Sequence, residues 1–304
     1  MNNYFKSIAS VLLSLLLFST PVFSSSALLV TDLGSSAEYI GVGGNEAVSL
    51  GAHNVFHNPS LMGQDKNFSV SLFTTTLMDD IQYRSLALSK QWDKLSVGFG
   101  YMDSAVDNIT ETVQGETKFE VSGYYESQFS VYKGGLSYQL APHLSMGFVA
   151  NYYHNKIHSV AGSTLNGDVG IAYRKDHILV SASSKNIFQT NEILYDNDAT
   201  EALSLVSTLS AHIYAPVVEP MFQMQIHSAK APSYSVGAIF NLPLISMLDI
   251  LVGYKTAYHL DTLKNRLTFG FGLNVQDIRF NFTYEKSNSV AFDHNSYFSL
   301  TYQF

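Results

Sequence analysis

The sequence contains no cysteine, one tryptophan and few charged residues. Without cysteine the chain can form neither a disulfide nor a lipid-modified N-terminal cysteine. Charged residues make up 14% of the chain and aromatic residues 13%, whereas about 25% of the residues in a soluble domain are charged. Part of the surface is therefore expected to face something other than water.

Long apolar runs are missing after the N-terminus. The nearest candidate, Ile239–Tyr254, is interrupted by Asn241, Pro243 and Asp249. A membrane-spanning helix is therefore not expected in this part of the chain.

Residues 1–27 have the pattern of a cleaved secretory signal peptide. Lys6 supplies the positive charge, residues 8–18 form the apolar stretch and residues 25–27 the small-residue cleavage site. An uncleaved anchor helix is the alternative, but the apolar run is short for a span and Pro21 follows it. Cleavage removes one of 17 basic residues and leaves 16 against 25 acidic ones, a formal charge of -9. This acidity argues against nucleic acid as a partner.

Residues 67–304 alternate apolar and polar side chains in short segments separated by turn residues, which predicts an all-β barrel region. The clearest pair, Leu267–Leu273 and Ile278–Tyr284, is joined by Gln276 and Asp277 and predicts a hairpin. Fourteen strands are expected, near residues 67–78, 81–92, 95–102, 127–140, 144–156, 165–174, 177–187, 202–214, 221–228, 233–241, 248–256, 265–275, 278–286 and 296–304.

The connections between these strands alternate between short and long. Short polar turns such as Asp93-Lys94 and Gln276-Asp277 alternate with longer polar segments. The segments expected to be long loops are Asp103–Glu126, Ile157–Thr164, Phe188–Glu201, Ala257–Lys264 and Lys286–Asn295. This alternation is typical of a transmembrane antiparallel β-barrel in a bacterial outer membrane, with the short turns on the periplasmic side.

The two faces of the predicted strands favour lipid outside and a confined lumen inside. One face is apolar, as in Leu144, Met146, Phe148, Ala150 and Tyr152, whereas the other consists mainly of Ser, Gly, Thr, Asn and Gln. A soluble β-sandwich would instead present many charges on its outer faces. Because unpaired backbone groups are costly in lipid, the strand starting near residue 67 is expected to pair with the last strand.

The last eight residues, Tyr297–Phe304, alternate aromatic side chains up to a terminal phenylalanine. This pattern looks like the C-terminal strand that the barrel-assembly machinery of bacterial outer membranes recognises. The buried last strand of a soluble protein is the alternative. The predicted partners are therefore outer-membrane lipid and the assembly machinery.

Residues 28–66 precede the barrel and are rich in glycine, poor in charge and apolar enough to pack against a wall. We interpret this segment as a hatch that plugs the periplasmic side, since a barrel of this size would otherwise leak. Asn58-Pro59 constrains its own backbone to a turn that could seat the hatch. A plain entry turn into the first strand is the alternative.

The segment Gly34–Met62 resembles the N-terminal hatch of FadL-type outer-membrane transporters of long-chain fatty acids and other hydrophobic compounds. The resemblance rests on Gly43, Gly44, Ala52, Asn54, Val55, Asn58, Pro59, Ser60 and Leu61. Ser60 departs from the usual Asn-Pro-Ala triplet of the family. The resemblance implies hatch or gating roles for Gly43, Gly44, Asn54, Asn58, Pro59 and Ser60. It also implies capture of a hydrophobic ligand outside and its sideways release through a distorted strand.

Two sites are candidates for that lateral opening. In the fourth strand, the apolar positions shift parity across Lys133-Gly134-Gly135, which predicts a β-bulge there. Gly98 and Gly100 in the third strand form the competing site, which the family resemblance favours. An ordinary bulge that curves the barrel is the alternative.

The remaining polar motifs do not predict an enzyme. His53 and His57, like His154 and His158, are spaced for one face of a helix, a weak indication of metal binding, and Asp293-His294 lacks a nucleophile motif. No catalytic residue, metal or cofactor is predicted.

Two hypotheses for function remain. The first is the passage of small hydrophobic molecules, such as long-chain fatty acids, through hatch and wall. The second is a PorV/PorQ-like barrel that serves a secretion or envelope-assembly system without transport. The motif Ser183–Ile187 is similar to a strand end in that smaller group, and the polar segment Asp103–Glu126 lacks the apolar residues of a capture groove.

Overall fold

The computed structural model describes residues 33–48, 51–63, 68–114, 119–188, 192–228, 231–259, 262–287 and 294–304. The predicted signal peptide, residues 28–32 and 64–67, and Asp293 lie outside these ranges. Within them, no helix is long and apolar enough to cross a membrane.

Three short helical elements precede the strands. They are α1 (Ala37–Gly41) and the 3-10 helices η1 (Ala52–Val55) and η2 (Pro59–Leu61). The strands in the described ranges are β1 (Phe68–Leu77), β2 (Ile81–Trp92), β3 (Leu95–Gln114), β4 (Phe119–Ala141), β5 (Leu144–Ile157), β6 (Val160–Lys175), β7 (Ile178–Lys185), β8 (Glu192–Tyr195), β9 (Thr200–Ala202), β10 (Val206–Ile213), β11 (Val218–His227), β12 (Ser233–Asn241), β13 (Leu248–His259), β14 (Thr262–Val275), β15 (Ile278–Ser287) and β16 (Asn295–Gln303).

Fourteen of the described strands form a closed antiparallel barrel. All strands except β8 and β9 pair with their neighbours along the chain, and β7 pairs directly with β10. β1 pairs with β16, and the backbone N–H groups of Phe68 and Phe304 each donate to the other residue's carbonyl, at 2.8 and 3.0 Å. β8 and β9 form a small hairpin attached to β6. The predicted fourteen strands and their closure are confirmed.

Both termini of the barrel lie at one end, here called the terminal end. This end also carries six short connections, at residues 93–94, 142–143, 176–177, 214–217, 242–247 and 276–277. The opposite end is called the loop end.

Three of the five segments predicted to be long loops are instead paired as strands. β3 and β4 continue as one hairpin through most of Asp103–Glu126, with register shifts at 106/109 and 111/112. β5 and β6 meet at the two-residue turn 158–159, and β13 remains paired with β14 up to His259 and Thr262. A backbone ladder forms whatever the polarity of its side chains, so polar alternating segments extend the strands beyond the apolar band.

The outer face carries the apolar side chains. Those that are 37 to 51% exposed in the middle of the wall include Leu72, Phe99, Leu136, Met146, Phe148, Val236, Tyr254, Phe269, Phe271, Phe298 and Leu300. Toward the loop end, Tyr101, Tyr132 and Tyr152 lie side by side on β3, β4 and β5, with neighbouring ring centroids 5.0 and 6.2 Å apart. Aromatic rings at the edge of an apolar band are typical of a membrane interface.

The bulge predicted at Lys133–Gly135 is wrong. β4 keeps one register with β3 and β5 through this stretch, where Gly134 opposes Phe99 and Ala150. The apolar positions shift parity because Phe129 and Val131 point into the lumen, where both are buried, while Leu136 faces outward. The shift in parity therefore results from apolar residues inside the barrel and not from the extra residue of a β-bulge.

Candidate functional site: the plugged lumen

The lumen is filled by the N-terminal segment. Every residue of 33–48 and 51–63, here called the plug, is buried. α1 packs on β13 to β16, η1 on β1 to β4, and η2 on β4 to β6. Residues between these helices reach the remaining strands β7 and β10 to β12, so the plug contacts the wall all the way round.

Asn58, Pro59 and Ser60 form a rigid corner against β4 to β7. The Asn58 side chain accepts hydrogen bonds from the Ser60 backbone N–H at 3.1 Å and hydroxyl at 2.7 Å, capping η2 with Pro59 at its first position. The Ser60 carbonyl accepts from the hydroxyls of Ser137 and Ser145, at 3.3 and 2.9 Å. Small polar wall residues therefore bind the backbone of the plug.

Glycines on the wall make room for this corner. A Cβ at Gly147 would lie 2.5 Å from the Pro59 carbonyl carbon, and a Cβ at Gly170 would overlap the Asn58 amide oxygen. The contact at Gly147 is with backbone, so a side-chain rotation cannot relieve it. The Asn-Pro corner and the wall glycines are thus complementary surfaces.

Gly43 and Gly44 form a turn that touches the opposite wall. Both have positive φ, 78° and 77°, a conformation that glycine adopts without strain. The Gly43 backbone lies directly over Gly253, and Val42 lies over Gly237. The Gly44 carbonyl accepts from the Gln223 side chain at 2.7 Å.

Gly98 and Gly100, candidates for lateral opening, face the plug from β3. A Cβ at Gly98 would overlap the Met62 sulfur, and one at Gly100 would lie 2.7 Å from Phe56 and Val55. Gly134 points outward with open space around it, whereas Gly135 points inward against Val149. β3 and β4 are continuously paired at all four glycines.

The two carboxylates in the described plug both pair with cations on the wall. Glu46 lies 3.0 Å from the Lys185 ammonium and accepts from the Ser183 hydroxyl at 2.6 Å. Glu38 lies 2.9 Å from the Arg279 guanidinium, which also lies 3.1 Å from Asp249. Sequence reasoning missed both pairs, although Glu38 and Glu46 stand out as charges in a charge-poor segment.

The two plug histidines are buried and structural in character. His57 stacks on Tyr39 with ring centroids 3.9 Å apart, and its Nε2 lies 3.0 Å from the Ser35 hydroxyl. Burial lowers the pKa of His53 to about 4 and that of His57 well below its ordinary value of 6.5. The described residues contain no cluster of three or more potential metal ligands. Asn54 lies in η1 and is also buried.

Between the plug and the loop end, one side of the lumen is apolar. This apolar wall consists of Phe73, Leu77, Tyr83, Met102, Phe129, Val131, Tyr153 and Tyr297, with Ile193 and Leu203 from the connection between β7 and β10. The opposite side, on β10 to β15, is polar and includes Thr208, Gln225, His227, Ser233, Ser235, Arg266 and Glu285. The Tyr83 hydroxyl donates to the Gly34 carbonyl at 2.9 Å, so the plug reaches the apolar wall.

A buried polar network joins Asn186, the residue after β7, to β4, β5 and β6. Asp168 lies 2.6 Å from the Lys133 ammonium and accepts from the Asn151 side chain and the Asn186 backbone N–H. Asn186 in turn accepts from the Tyr153 hydroxyl at 2.8 Å. The Asn186 side chain also donates to the Ser204 carbonyl at 3.0 Å, which positions Leu203 of the apolar wall.

At the terminal end, a polar cavity of about 290 Å³ opens below the plug. Its lining includes Glu38 and His53 from the plug and Asp249, Glu219 and Arg279 from the wall. The described lumen is thus apolar on one side near the loop end and charged near the terminal end.

Together, the closed barrel, the apolar outer face and the buried N-terminal segment define a plugged transmembrane β-barrel. The chain shares this fold with the toluene transporter TodX of Pseudomonas putida, with a TM-score of 0.61, 14% identity, and 93% of this chain and 98% of TodX covered.

Two TodX variants with altered S2 or S2 and S3 segments match equally well. The deltaS2S3 mutant, a monoaromatic hydrocarbon channel, has a TM-score of 0.63 and 14% identity over 88% of this chain and 97% of its own. The deltaS2 mutant has a TM-score of 0.60 and 13% identity over 89% and 99%. No protein-family model and no curated protein matches the chain. The fold implied by the resemblance to FadL-type transporters is confirmed, since TodX is of that family.

Proposed function

We propose that the protein resides in the outer membrane and passes small, uncharged hydrophobic molecules through its lumen. The observation that carries this proposal is the apolar wall, which lies inside a barrel whose other lumenal residues are mostly polar. Apolar side chains on a lumenal face are unusual, because water-filled barrels have polar interiors. The shared fold with hydrocarbon channels supports the same reading.

The charges of the lumen favour an uncharged ligand over a fatty acid. Lys133, Lys185, Arg266 and Arg279 each lie within 3.4 Å of a carboxylate. A ligand carboxylate would have to compete with these buried partners, whereas an apolar molecule needs no cation. Long-chain fatty acids are therefore the less favoured substrates.

In this proposal the plug is the gate. Asn58, Pro59 and Ser60 form its seat on β4 to β7, Gly43 and Gly44 close the opposite side, and Asn54 lies between them in η1. Because Met62 and Phe56 cover Gly98 and Gly100, a shift of the plug would uncover the inner side of β3 next to the apolar wall. Lateral release at β3 to β4, near Gly98, Gly100, Gly134 and Gly135, requires the continuous pairing there to open.

The secretion or envelope-assembly hypothesis has no support from the structures compared. In the segment Ser183–Ile187 that suggested it, Ser183 and Lys185 bind Glu46 and the Asn186 N–H donates to Asp168. We therefore retain transport as the proposed function.

The test is uptake of radiolabelled toluene and of labelled palmitate by cells with and without the gene. Toluene uptake should depend on the gene and palmitate uptake should change little. Val131→Thr replaces a fully buried methyl of the apolar wall by a hydroxyl at constant size, and should lower toluene uptake several-fold. Val121→Thr, on the exposed β3–β4 hairpin (59% exposed), is the matched control and should have no effect. Unchanged toluene uptake without the gene would refute the proposal.

A further inference from the structure

The connection between β12 and β13 differs from the other short turns at the terminal end. Its residues include Leu244, Ile245 and Met247, which are 99, 51 and 51% exposed. The turns at 93–94, 142–143, 176–177 and 276–277 consist of polar residues and one proline, and the turn at 214–217 has a single exposed aliphatic side chain, Val217 at 51%. Three large exposed apolar side chains in a six-residue turn indicate that this surface contacts lipid or protein, not water.

The exposure is built into an ordered turn. The Ile245 N–H donates to the Leu242 carbonyl at 3.0 Å, and the Leu248 N–H donates to the Ile245 carbonyl at 2.9 Å. The Met247 carbonyl accepts from the Asn274 N–H at 2.7 Å, which ties the turn to β14. Two consecutive hydrogen-bonded turns thus hold the apolar side chains outward.

The turn continues the lipid-facing surface of the barrel. Phe240 on β12 and, on neighbouring strands, Val275, Ile278 and Val218 point outward with 37 to 46% exposure. Polar turn residues follow this apolar surface at 93–94, 142–143, 176–177 and 276–277, and the turn at 214–217 adds one exposed apolar side chain, Val217. At β12–β13 the apolar surface extends past the last strand residues.

We propose that this turn, residues 242–247, is a membrane anchor that inserts into the lipid leaflet at the terminal end of the barrel. The occupant of its surface is lipid, because the turn is continuous with the face that hydrocarbon already covers. Apolar side chains at the membrane boundary gain by entering the acyl region, as in interfacial anchors. The anchor would fix how deep this sector of the barrel lies in the bilayer, whatever the barrel transports.

The test uses the absence of native cysteine. Three variants are made, Leu244→Cys, Lys94→Cys and Phe271→Cys. Each is purified as the full-length barrel, labelled with a nitroxide at its single cysteine and reconstituted in phosphatidylcholine vesicles. Relaxation by oxygen, which concentrates in lipid, is compared with relaxation by a water-soluble nickel chelate. Leu244→Cys alters a fully exposed side chain, so folding should be unaffected.

We expect the label at position 244 to resemble position 271 in the lipid-facing wall, with oxygen the stronger relaxant by several-fold. The label at position 94, in a polar turn at the same end, should be relaxed more by nickel. A label at 244 that behaves like the one at 94 would overturn the proposal. So would a label at 244 shielded from both agents, since this indicates coverage by a second copy of the chain. Loss of the oxygen preference at 271 would instead contradict the membrane placement of the barrel itself.

Discussion

The ion pair between Glu46 and Lys185 should govern how readily the plug leaves its seat. Glu46 is 1% exposed and Lys185 12% exposed, so the pair is largely shielded from water. Glu46→Gln keeps the size of the side chain and an oxygen for the Ser183 hydroxyl but removes the charge opposite Lys185. Breaking a buried ion pair costs about 3 to 5 kcal/mol of stability. The hydrogen bond from the Ser183 hydroxyl, which Gln can still accept, reduces this cost by about 1 kcal/mol. Partial hydration of Lys185 lowers the cost further, to about 2 kcal/mol.

A cost of about 2 kcal/mol corresponds to a roughly 30-fold larger population of the displaced plug. Hydrogen exchange measures this population directly. The backbone N–H groups of Val42 and Gly44, which donate to Glu38 and Tyr39 within the plug, should exchange about 30-fold faster in the variant. Strand N–H groups of β14 and β15 should keep their protection.

The controls distinguish a local from a general effect. Asp168→Asn breaks a comparably buried ion pair between β6 and Lys133 of β4, and should raise the exchange of Val42 and Gly44 far less than Glu46→Gln does. Replacing Lys185 by Gln as well should recover part of the protection that Glu46→Gln loses, because no lone charge remains. Plug exchange unchanged in Glu46→Gln, or an equal increase throughout the barrel, would refute the reasoning.

Two further predictions concern the seat and the acidity of the medium. Gly147→Ala places a Cβ against the Pro59 backbone, so it should displace the plug and raise the ion conductance of the barrel in planar bilayers. The control, Gly134→Ala, places its Cβ in open space and should conduct like wild type. Equal conductance of the two variants would contradict the assigned contact. The pKa of buried His53 is lowered to about 4, so between that pH and about 6.5 the unfolded chain binds more protons than the folded one and stability falls as pH falls. The thermal midpoint should therefore drop from pH 7 to pH 4.5 by less in His53→Gln than in wild type, and an identical drop would count against this role.

The strands could be predicted from the sequence because alternation is a local property. A side chain in this wall meets either lipid or the lumen, and neighbours along a strand always meet opposite ones. Leu267 and Phe269 face outward while Thr268 between them is buried, so their alternation reports the two environments without knowledge of the rest of the chain. The same logic identified the small polar face as lumenal.

The local pattern was misleading where one strand crosses two environments. Phe129 and Val131 are apolar yet point inward, so their parity suggested a bulge that the register excludes. The predicted loop at Asp103–Glu126 was wrong for a related reason, since polar residues beyond the lipid still pair as strands.

The sequence by itself thus determined the number of strands, the closure of the barrel and the presence of a separate N-terminal segment rich in glycine. Only the tertiary structure decided what that segment touches. Ser183 reaches Glu46 across 137 residues and Thr283 reaches the Ala37 carbonyl across 246, and the side-chain pattern of neither segment encodes its partner. Closing a barrel brings residues together according to strand register and lumen width, which are properties of all the strands at once.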